Sequence, residues 1–288
     1  MCDYGEFIEP SGSRYVGSFA TGQYEGDGFY ESVDGWTYRG HFVAGLKQGK
    51  GEYRYKDGSL YEGCWYNDMQ HGHGSLTRMG YGTYVGEFAL GRLHGIGEYA
   101  YLDGSVYSGS FLNSLYSGEG FYKYPNGITY KGSYLCNMMN GLGWLQFLDG
   151  SSYRGALNDN LKEGHGVFLY ANGSSYKGMY KNDWRHGVGK FIFQSGDTYV
   201  GDFAENKLTG TGHYTWSNGN QFKGTFRDNL LIKGLYIEGT VIKQLFEGFF
   251  NSTEEYEGSH LIYKADLSHE VNGCKVYKKC FFINGKLV

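Results

Sequence analysis

Proline is almost missing from this chain of 288 residues, which contains two. Proline-rich linkers and polyproline segments are thereby excluded. Cysteine is sparse and scattered: Cys2, Cys64, Cys136, Cys274 and Cys280 form neither a Cys-x-x-Cys pair nor an even-numbered framework. A reducing, cytoplasmic compartment is therefore expected, because secreted folds of this kind lean on paired cysteines. An excess of one charge is lacking too, with 26 Lys and Arg against 30 Asp and Glu and a formal net charge of −4. A general nucleic-acid binder needs a basic surplus, so nucleic acid is not an expected partner. No run approaches the roughly 18 apolar residues of a membrane-crossing helix. Met1–Pro10 carries Asp3, Glu6 and Glu9 and has no apolar core for a signal peptide. The sequons at Asn172 and Asn251 are accordingly expected to be chance matches.

Glycine and tyrosine fill the space left by these shortages, with 49 and 29 copies. Average glycine usage is about 7%, and an aromatic content of 18% supplies enough apolar surface to order a fold. Their placement is periodic. A Tyr-x-Gly triplet begins at Tyr15, Tyr38, Tyr61, Tyr84, Tyr107, Tyr130, Tyr153, Tyr176 and Tyr199, a constant spacing of 23, and Phe222-Lys223-Gly224 continues it. A Gly-x-Gly triplet follows each tyrosine by eleven residues, from Gly26 to Gly210, and an Asx-Gly pair closes many periods, as at Asp57-Gly58 and Asn126-Gly127. Three registers locked together over some two hundred residues define a repeat architecture.

Within the unit from Tyr38 to Tyr61, Tyr38, Gly40 and Phe42 alternate with Arg39 and His41, and Gly49, Gly51, Tyr53 and Tyr55 alternate with Lys50, Glu52 and Arg54. A period of two predicts two strands with one aromatic–glycine face and one polar face. The Asx-Gly pairs predict tight turns on one edge, and the link from Val43 to Gln48 predicts longer loops on the other. A glycine in a strand leaves a gap on the pleated face, over which a ring from a neighbouring strand is expected to lie. More than twenty strands at about 4.8 Å spacing would extend on the order of 100 Å.

The Tyr-x-Gly-x-aromatic, Gly-x-Gly, Asx-Gly pattern resembles the MORN (membrane occupation and recognition nexus) repeat. The resemblance covers about Tyr15 to Phe226, with a degenerate unit at Phe246–Phe250. It implies an all-β fold: an elongated, twisted, single-layer antiparallel sheet of tandem 23-residue hairpins, capped at its ends. Residues 1–14 are expected to form an N-terminal cap, 15–244 the array of about ten repeats, and 245–288 a degenerate repeat and C-terminal cap or tail. Departures fall at Ile232-Lys233-Gly234, where Gly-x-Gly is missing, at Met79-Gly80-Tyr81-Gly82, and at Leu157, which replaces an aromatic.

Chemistry is harder to find. Ala44–Gly51 nearly spells a phosphate-binding loop, but it lacks the final Ser or Thr and opens a strand instead of a helix. His71, His94 and His186 recur at one repeat position, and copies two strands apart would stand roughly 9–10 Å from one another, too far to share a metal. Asp57, Asp103 and Asp149 precede turn glycines and read as turn residues. No catalytic residue, metal site or cofactor is expected.

What remains is binding. Basic residues recur after the repeat tyrosine (Arg39, Lys131, Arg154, Lys177, Lys223) on a polar face that Glu52, Glu62, Glu87, Glu98 and Asp202 interrupt. From the middle of the chain that face turns apolar, with Leu142, Trp144, Val167, Leu169, Met179, Val188 and Ile192 sharing it by strand parity. These seven are the expected partner-binding residues. Lys131, Arg154 and Lys177 would flank them and contact an acidic peptide or an acidic lipid. The competing expectation is that residues 260–288 fold back over the patch through Leu261, Ile262, Phe281 and Phe282; the aromatic face is the alternative surface.

The family resemblance implies a non-enzymatic scaffold that docks helical or extended protein segments in a cytoskeletal or ciliary assembly, as in radial spokes, with a homodimer through the end of the array as a further expectation. The alternative is a peripheral membrane adaptor for acidic phospholipids, as in junctophilins. MORN arrays also accompany lipid kinases and a lysine methyltransferase, but the tail after this array is expected to be too short for a catalytic domain.

Overall fold

The computed structural model describes residues 3–238 with their side chains and, beyond them, the backbone of five further strands. No helix occurs among the described residues. The chain divides into two compact units, Met1–Gly141 and Leu142–Val288. The first contains β1 (Asp3–Ile8), β2 (Arg14–Ala20), β3 (Gln23–Glu31), β4 (Thr37–Val43), β5 (Leu46–Arg54), β6 (Leu60–Tyr66), β7 (Met69–Arg78), β8 (Gly82–Ala89), β9 (Arg92–Tyr101), β10 (Val106–Leu112), β11 (Leu115–Lys123) and β12 (Thr129–Leu135). After β13 (Met138–Gln146), which crosses the division, the second contains β14 (Ser152–Asn158), β15 (Leu161–Leu169), β16 (Ser175–Lys181), β17 (Trp184–Ile192), β18 (Thr198–Ala204), β19 (Lys207–Thr215), β20 (Gln221–Arg227), β21 (Leu230–Glu238) and β22 (Val241–Phe250).

In each unit successive strands pair antiparallel, β1 with β2 and onwards in the first, β14 with β15 and onwards in the second. A small separate sheet joins His260–Val271, Cys274–Ile283 and Lys286–Leu287. The side chains of residues 245–288, including the expected fold-back over the apolar patch, lie outside the described residues.

The repeat tyrosine organises each hairpin. All nine, from Tyr15 to Tyr199, are fully buried in a fold that is one layer thick. In the hairpin β4–β5, Gly40 pairs directly with Gly51. The Tyr38 ring lies across both, so a Cβ at Gly40 would stand 2.5 Å from the Tyr38 hydroxyl and 2.6 Å from the Gly51 Cα. The ring therefore comes from the glycine's own strand for Gly40 and from the neighbouring strand for Gly51, where a neighbouring-strand ring alone was expected. A side chain rooted two residues earlier on the same pleated face points along that face and reaches both gaps at once.

The buried hydroxyl is satisfied locally by donating to the carbonyl three residues on: Tyr38 to His41 at 3.2 Å, Tyr153 to Ala156 at 2.7 Å, Tyr176 to Met179 at 2.8 Å. The aromatic four residues after each tyrosine stands on edge against it and against the tyrosine of the preceding repeat. Phe203 meets Tyr199 at 5.2 Å and Tyr176 at 5.0 Å, with interplanar angles of 88° and 80°. Edge-to-face pairs add about 0.5–1.5 kcal/mol each beyond burial. Leu157 takes the same buried position without a ring.

Each Gly-x-Gly carries two different demands. The second glycine is the ring seat. The first sits where the strand accommodates two more residues than its predecessor: Gly40 opposes Gly51, and His41 already opposes Gln48. Gly49 takes φ +64° in this bulge, and its counterparts Gly164 and Gly187 take +74° and +58°. Where Gly-x-Gly is missing, in β21, the bulge shrinks to one extra residue: Thr225 opposes Lys233 and Phe226 opposes Leu231.

The bulge also overturns the expected edges. The link from Val43 to Gln48 is no long loop; β4 runs directly into β5 through Ala44 and Gly45, both with positive φ (50° and 82°). Asn67-Asp68, Asn182-Asp183 and Asp228-Asn229 turn in the same way. Two successive positive φ angles match the twist of the flanking strands, which is why two-residue hairpins use them. The Asx-Gly pairs close the wider loops instead, as in Tyr55–Ser59, where Tyr55 N–H donates to the Ser59 carbonyl at 2.8 Å and Gly58 N–H to the Tyr55 carbonyl at 3.0 Å.

The tight turns also join repeats. Asn206 N–H donates to the Arg185 carbonyl at 3.2 Å, while Arg185 N–H donates to Asn206 Oδ1 at 2.8 Å. Asn229 and Leu208 exchange the same two bonds. An Asx residue there tolerates the left-handed backbone and satisfies a neighbour's donor as well.

Two candidate interaction faces of the sheet

With the tyrosines buried on one side, the opposite side is free of covering elements among the described side chains. The registers place Val167, Leu169, Met179, Val188 and Ile192 on that outer face. Leu169, Val188 and Ile192 are 52%, 62% and 37% exposed, and Val167 and Met179 are half-buried. Leu142 and Trp144, at the start of the second unit, are also exposed.

Cross-strand pairing shows the company these residues keep. Val167 lies between Arg154 and Lys177, Leu169 between Ser152 and Ser175, and Ile192 between Ser175 and Thr198. Met179 faces His165 and His186, and Val188 faces Asp202. Each of these five thus has at least one polar cross-strand neighbour, and around them the surface is a mixed lattice in place of the continuous apolar patch the strand parity suggested. Parity assigns a face to each residue but is blind to which residues of different strands become neighbours.

Arg154 and Lys177 border Val167 as expected, whereas Lys131 pairs with Phe121 in the first unit. Register adds a residue that the triplet pattern passed over. Lys190 pairs with Lys177 on one side and Val200 on the other. The row Arg154, Val167, Lys177, Lys190, Val200, His213, Lys223 therefore crosses the middle of seven strands without one carboxylate. Lys190 stands fourteen residues after Tyr176, where Glu52 stands after Tyr38, and this second polar position of each repeat was the signal that could have revealed it.

The aromatic face is more enclosed. Above the buried tyrosines runs a second tier of buried and half-buried rings, such as Phe191 with Phe193 at 4.6 Å and Tyr214 with Trp216 at 4.9 Å. The residue nine positions after the tyrosine covers this tier. In three repeats it is a cation: Lys47 lies 5.1–5.6 Å from the rings of Trp36, Tyr38, Tyr53 and Trp65, Lys162 lies over Tyr153, and Arg185 is 4.9 Å from Phe191. In the second unit this face holds a cavity of about 170 Å³ lined by Arg185, Phe193, Leu208, Trp216, Phe226 and Leu231, among others. Arg185 is already engaged there, donating from Nη2 to the Asn206 carbonyl at 2.7 Å.

Two hydroxyls on this face are out of place. Tyr134 and Tyr180 occupy the edge-on position that Phe203 and Phe226 fill elsewhere, and their buried hydroxyl oxygens have no hydrogen-bond partner among the described residues. Desolvation pushes both phenols well above their ordinary pKa. Tyr180→Phe is expected to stabilise the protein by about 1 kcal/mol, because an unsatisfied buried hydroxyl costs on that order. Urea unfolding of the two proteins checks it; a lower midpoint for the variant would show that the hydroxyl contributes after all.

The other sequence candidates resolve into local structure. Ala44–Gly51 is a hairpin turn and a strand, with no helix to receive a phosphate. Hydrogen bonds from the Ser105 and Ser151 hydroxyls hold the Asp103 and Asp149 carboxyls below the usual range. Asp57 accepts a hydrogen bond from Ser59 N–H, and Asn172, the first sequon, accepts one from Ser174 N–H. Among the described residues no group of three His, Cys, Asp or Glu side chains is assembled for a metal ion. Cys64 and Cys136 are free thiols. No helix among the described residues is long and apolar enough to cross a membrane.

Several solved structures share a distant likeness. The wild-type TCP10 domain of CPAP from Danio rerio is 15% identical with a TM-score of 0.39, the match covering 69% of this chain and 94% of that one. The TCP domain of SAS-4 from Drosophila melanogaster, in complex with a proline-rich motif of Ana2, is 16% identical with a TM-score of 0.32, covering 62% and 85%. A streptogramin B lyase is 11% identical with a TM-score of 0.15, covering 77% and 90%. At such scores these likenesses decide neither fold nor function. No curated protein sequence matches the chain. The MORN repeat model, by contrast, matches eight consecutive units of 23 residues from 38–60 to 199–221, more than half of the chain and in the register of the buried tyrosines. The ring seat, the bulge glycine and the two-residue turn are thus the structural content of that repeat here, and the chain belongs to the MORN repeat family.

Proposed function

We propose that this protein is a non-enzymatic scaffold that holds segments of partner proteins against the outer face of its second unit, in a cytoskeletal or ciliary assembly of the cytoplasm. The observation that carries the reading is the group of exposed apolar side chains Leu142, Trp144, Leu169, Val188 and Ile192 on a face that the described side chains leave uncovered. Val167 and Met179 deepen the surface, and Arg154 and Lys177 border it, which suits an amphipathic segment with acidic residues. The cytoskeletal setting rests on family membership.

A photo-crosslinking side chain placed at Leu169 or Val188 should trap the partner, while one at Trp216, in the aromatic trough, should not. Trapping from Trp216 alone would transfer the function to the other face. Trp144→Asp with Leu169→Asp should abolish capture and leave the circular dichroism unchanged, and undiminished capture by that folded variant would sink the assignment.

The carboxylate-free row from Arg154 to Lys223 favours a second reading, a peripheral adaptor on acidic phospholipid. At about 1 kcal/mol per basic residue near an anionic surface, such a row could hold the protein on a membrane. Co-sedimentation with phosphatidylserine vesicles, compared with phosphatidylcholine alone, tests it; equal recovery on both would refute the lipid reading.

A further inference from the structure

We infer that the partner of the basic row is a second copy of this chain, which presents a matching acidic row on its first unit. The inference rests on the reading of the outer face as a docking surface and names its occupant.

In the first unit the same middle row of the outer face carries Glu52, Glu62 and Glu98. Glu52 and Glu62 are direct cross-strand neighbours on β5 and β6, and Glu98 follows three strands later on β9. In the second unit Lys177 and Lys190 are direct neighbours on β16 and β17, and Lys223 follows three strands later on β20. At about 4.8 Å per strand, both sets are spaced by roughly 5 Å and then 14 Å. The intervening positions are uncharged or carry a histidine: Ser75 and Val85 in the acidic row, Val200 and His213 in the basic one.

Both sets contain a cost that this match would remove. Like charges directly opposite one another on paired strands are destabilising. Glu52 beside Glu62 and Lys177 beside Lys190 are such pairs. Arg54, 3.0 Å from Glu52, and Arg39, which opposes Glu52 on β4, relieve the first in part. No ion pair among the described residues reaches Glu62, Glu98, Lys177, Lys190 or Lys223. All five are exposed. Facing the acidic row of one copy to the basic row of another in the same strand order puts each repelling pair against its opposite. The contact is heterologous, using different surfaces on the two copies, so each pairing leaves one acidic and one basic row available and association grows with concentration.

Light scattering at low ionic strength should show the weight-average mass of the full chain rising by about twofold or more with concentration, and returning to the monomer value at about 0.5 M salt. Glu62→Lys with Glu98→Lys, and separately Lys190→Glu with Lys223→Glu, should each remain monomeric at low salt. Mixing these two variants should restore association, because the inverted rows again oppose each other. A wild-type chain that stays monomeric at low salt overturns the inference, as does a mixture of the two folded variants that fails to associate. Crosslinks from Leu169 or Val188 to a different protein, with the chain itself monomeric, also overturn it while leaving the proposed scaffold function standing.

Discussion

Gly166→Val is expected to destabilise the second unit by on the order of 3 kcal/mol, the upper part of the usual range for overpacking. Gly166 lies under the Tyr153 ring and pairs with Gly155. A Cβ at Gly166 would stand 2.5 Å from the Tyr153 hydroxyl and 2.7 Å from its Cζ. The backbone dihedral is not the obstacle, since only the first glycine of this triplet, Gly164, takes a positive φ. The obstacle is space. Tyr153 is fully buried and held on edge against Tyr180 at 5.3 Å, so it cannot lift without disturbing the next repeat. With native stabilities of about 5–15 kcal/mol, such a loss is a large share of the total. Because repeats contact mainly their neighbours, amide exchange should accelerate chiefly in β14 to β17. Uniform acceleration throughout both units would refute that local picture, and an unchanged unfolding midpoint would refute the ring seat.

Alkaline unfolding is the second large effect expected. Desolvation pushes the phenols of Tyr84, Tyr107, Tyr130 and Tyr176 up to about 12, and raises those of Tyr38, Tyr61, Tyr153 and Tyr199 further. In the unfolded chain each would ionise near 10. The folded state thus keeps protons that the unfolded state releases. The stabilisation this represents is fully present below pH of about 10 and is lost as the pH rises through about 12. Since one element of every repeat is affected, the losses accumulate along the array. Phenolate absorbance should lag behind that of free tyrosine and then rise steeply together with loss of the β circular dichroism. Smooth titration of the 29 tyrosines near the free value, with the dichroism retained, would show that the rings are not sealed as described.

How far these residues could be understood in advance varied with the range of the interaction. The tyrosine period, the partnering glycines and the two faces of each strand were legible because each concerns residues close in sequence. The turns were misjudged for a reason internal to the repeat. Gly-x-Gly looks like uninterrupted strand, but its first glycine opens a bulge that absorbs two residues, so the apparent long loop after Val43 is a two-residue turn. Asn182-Asp183 and Asp228-Asn229 carried the correct signal, two Asx residues suited to positive φ.

The sequence by itself determined the repeat, its strand content, its membership of a hairpin family and the face on which each side chain emerges, because a period of two and a period of 23 are properties of one dimension. Only the tertiary structure decided which residues became neighbours across strands. Val167 emerged between Arg154 and Lys177, and Lys177 emerged beside Lys190, thirteen positions away in the chain. That pairing depends on where bulges shift the register, a quantity set by backbone hydrogen bonding and ring seating together. It is what turned an expected apolar patch into a mixed lattice crossed by a basic row.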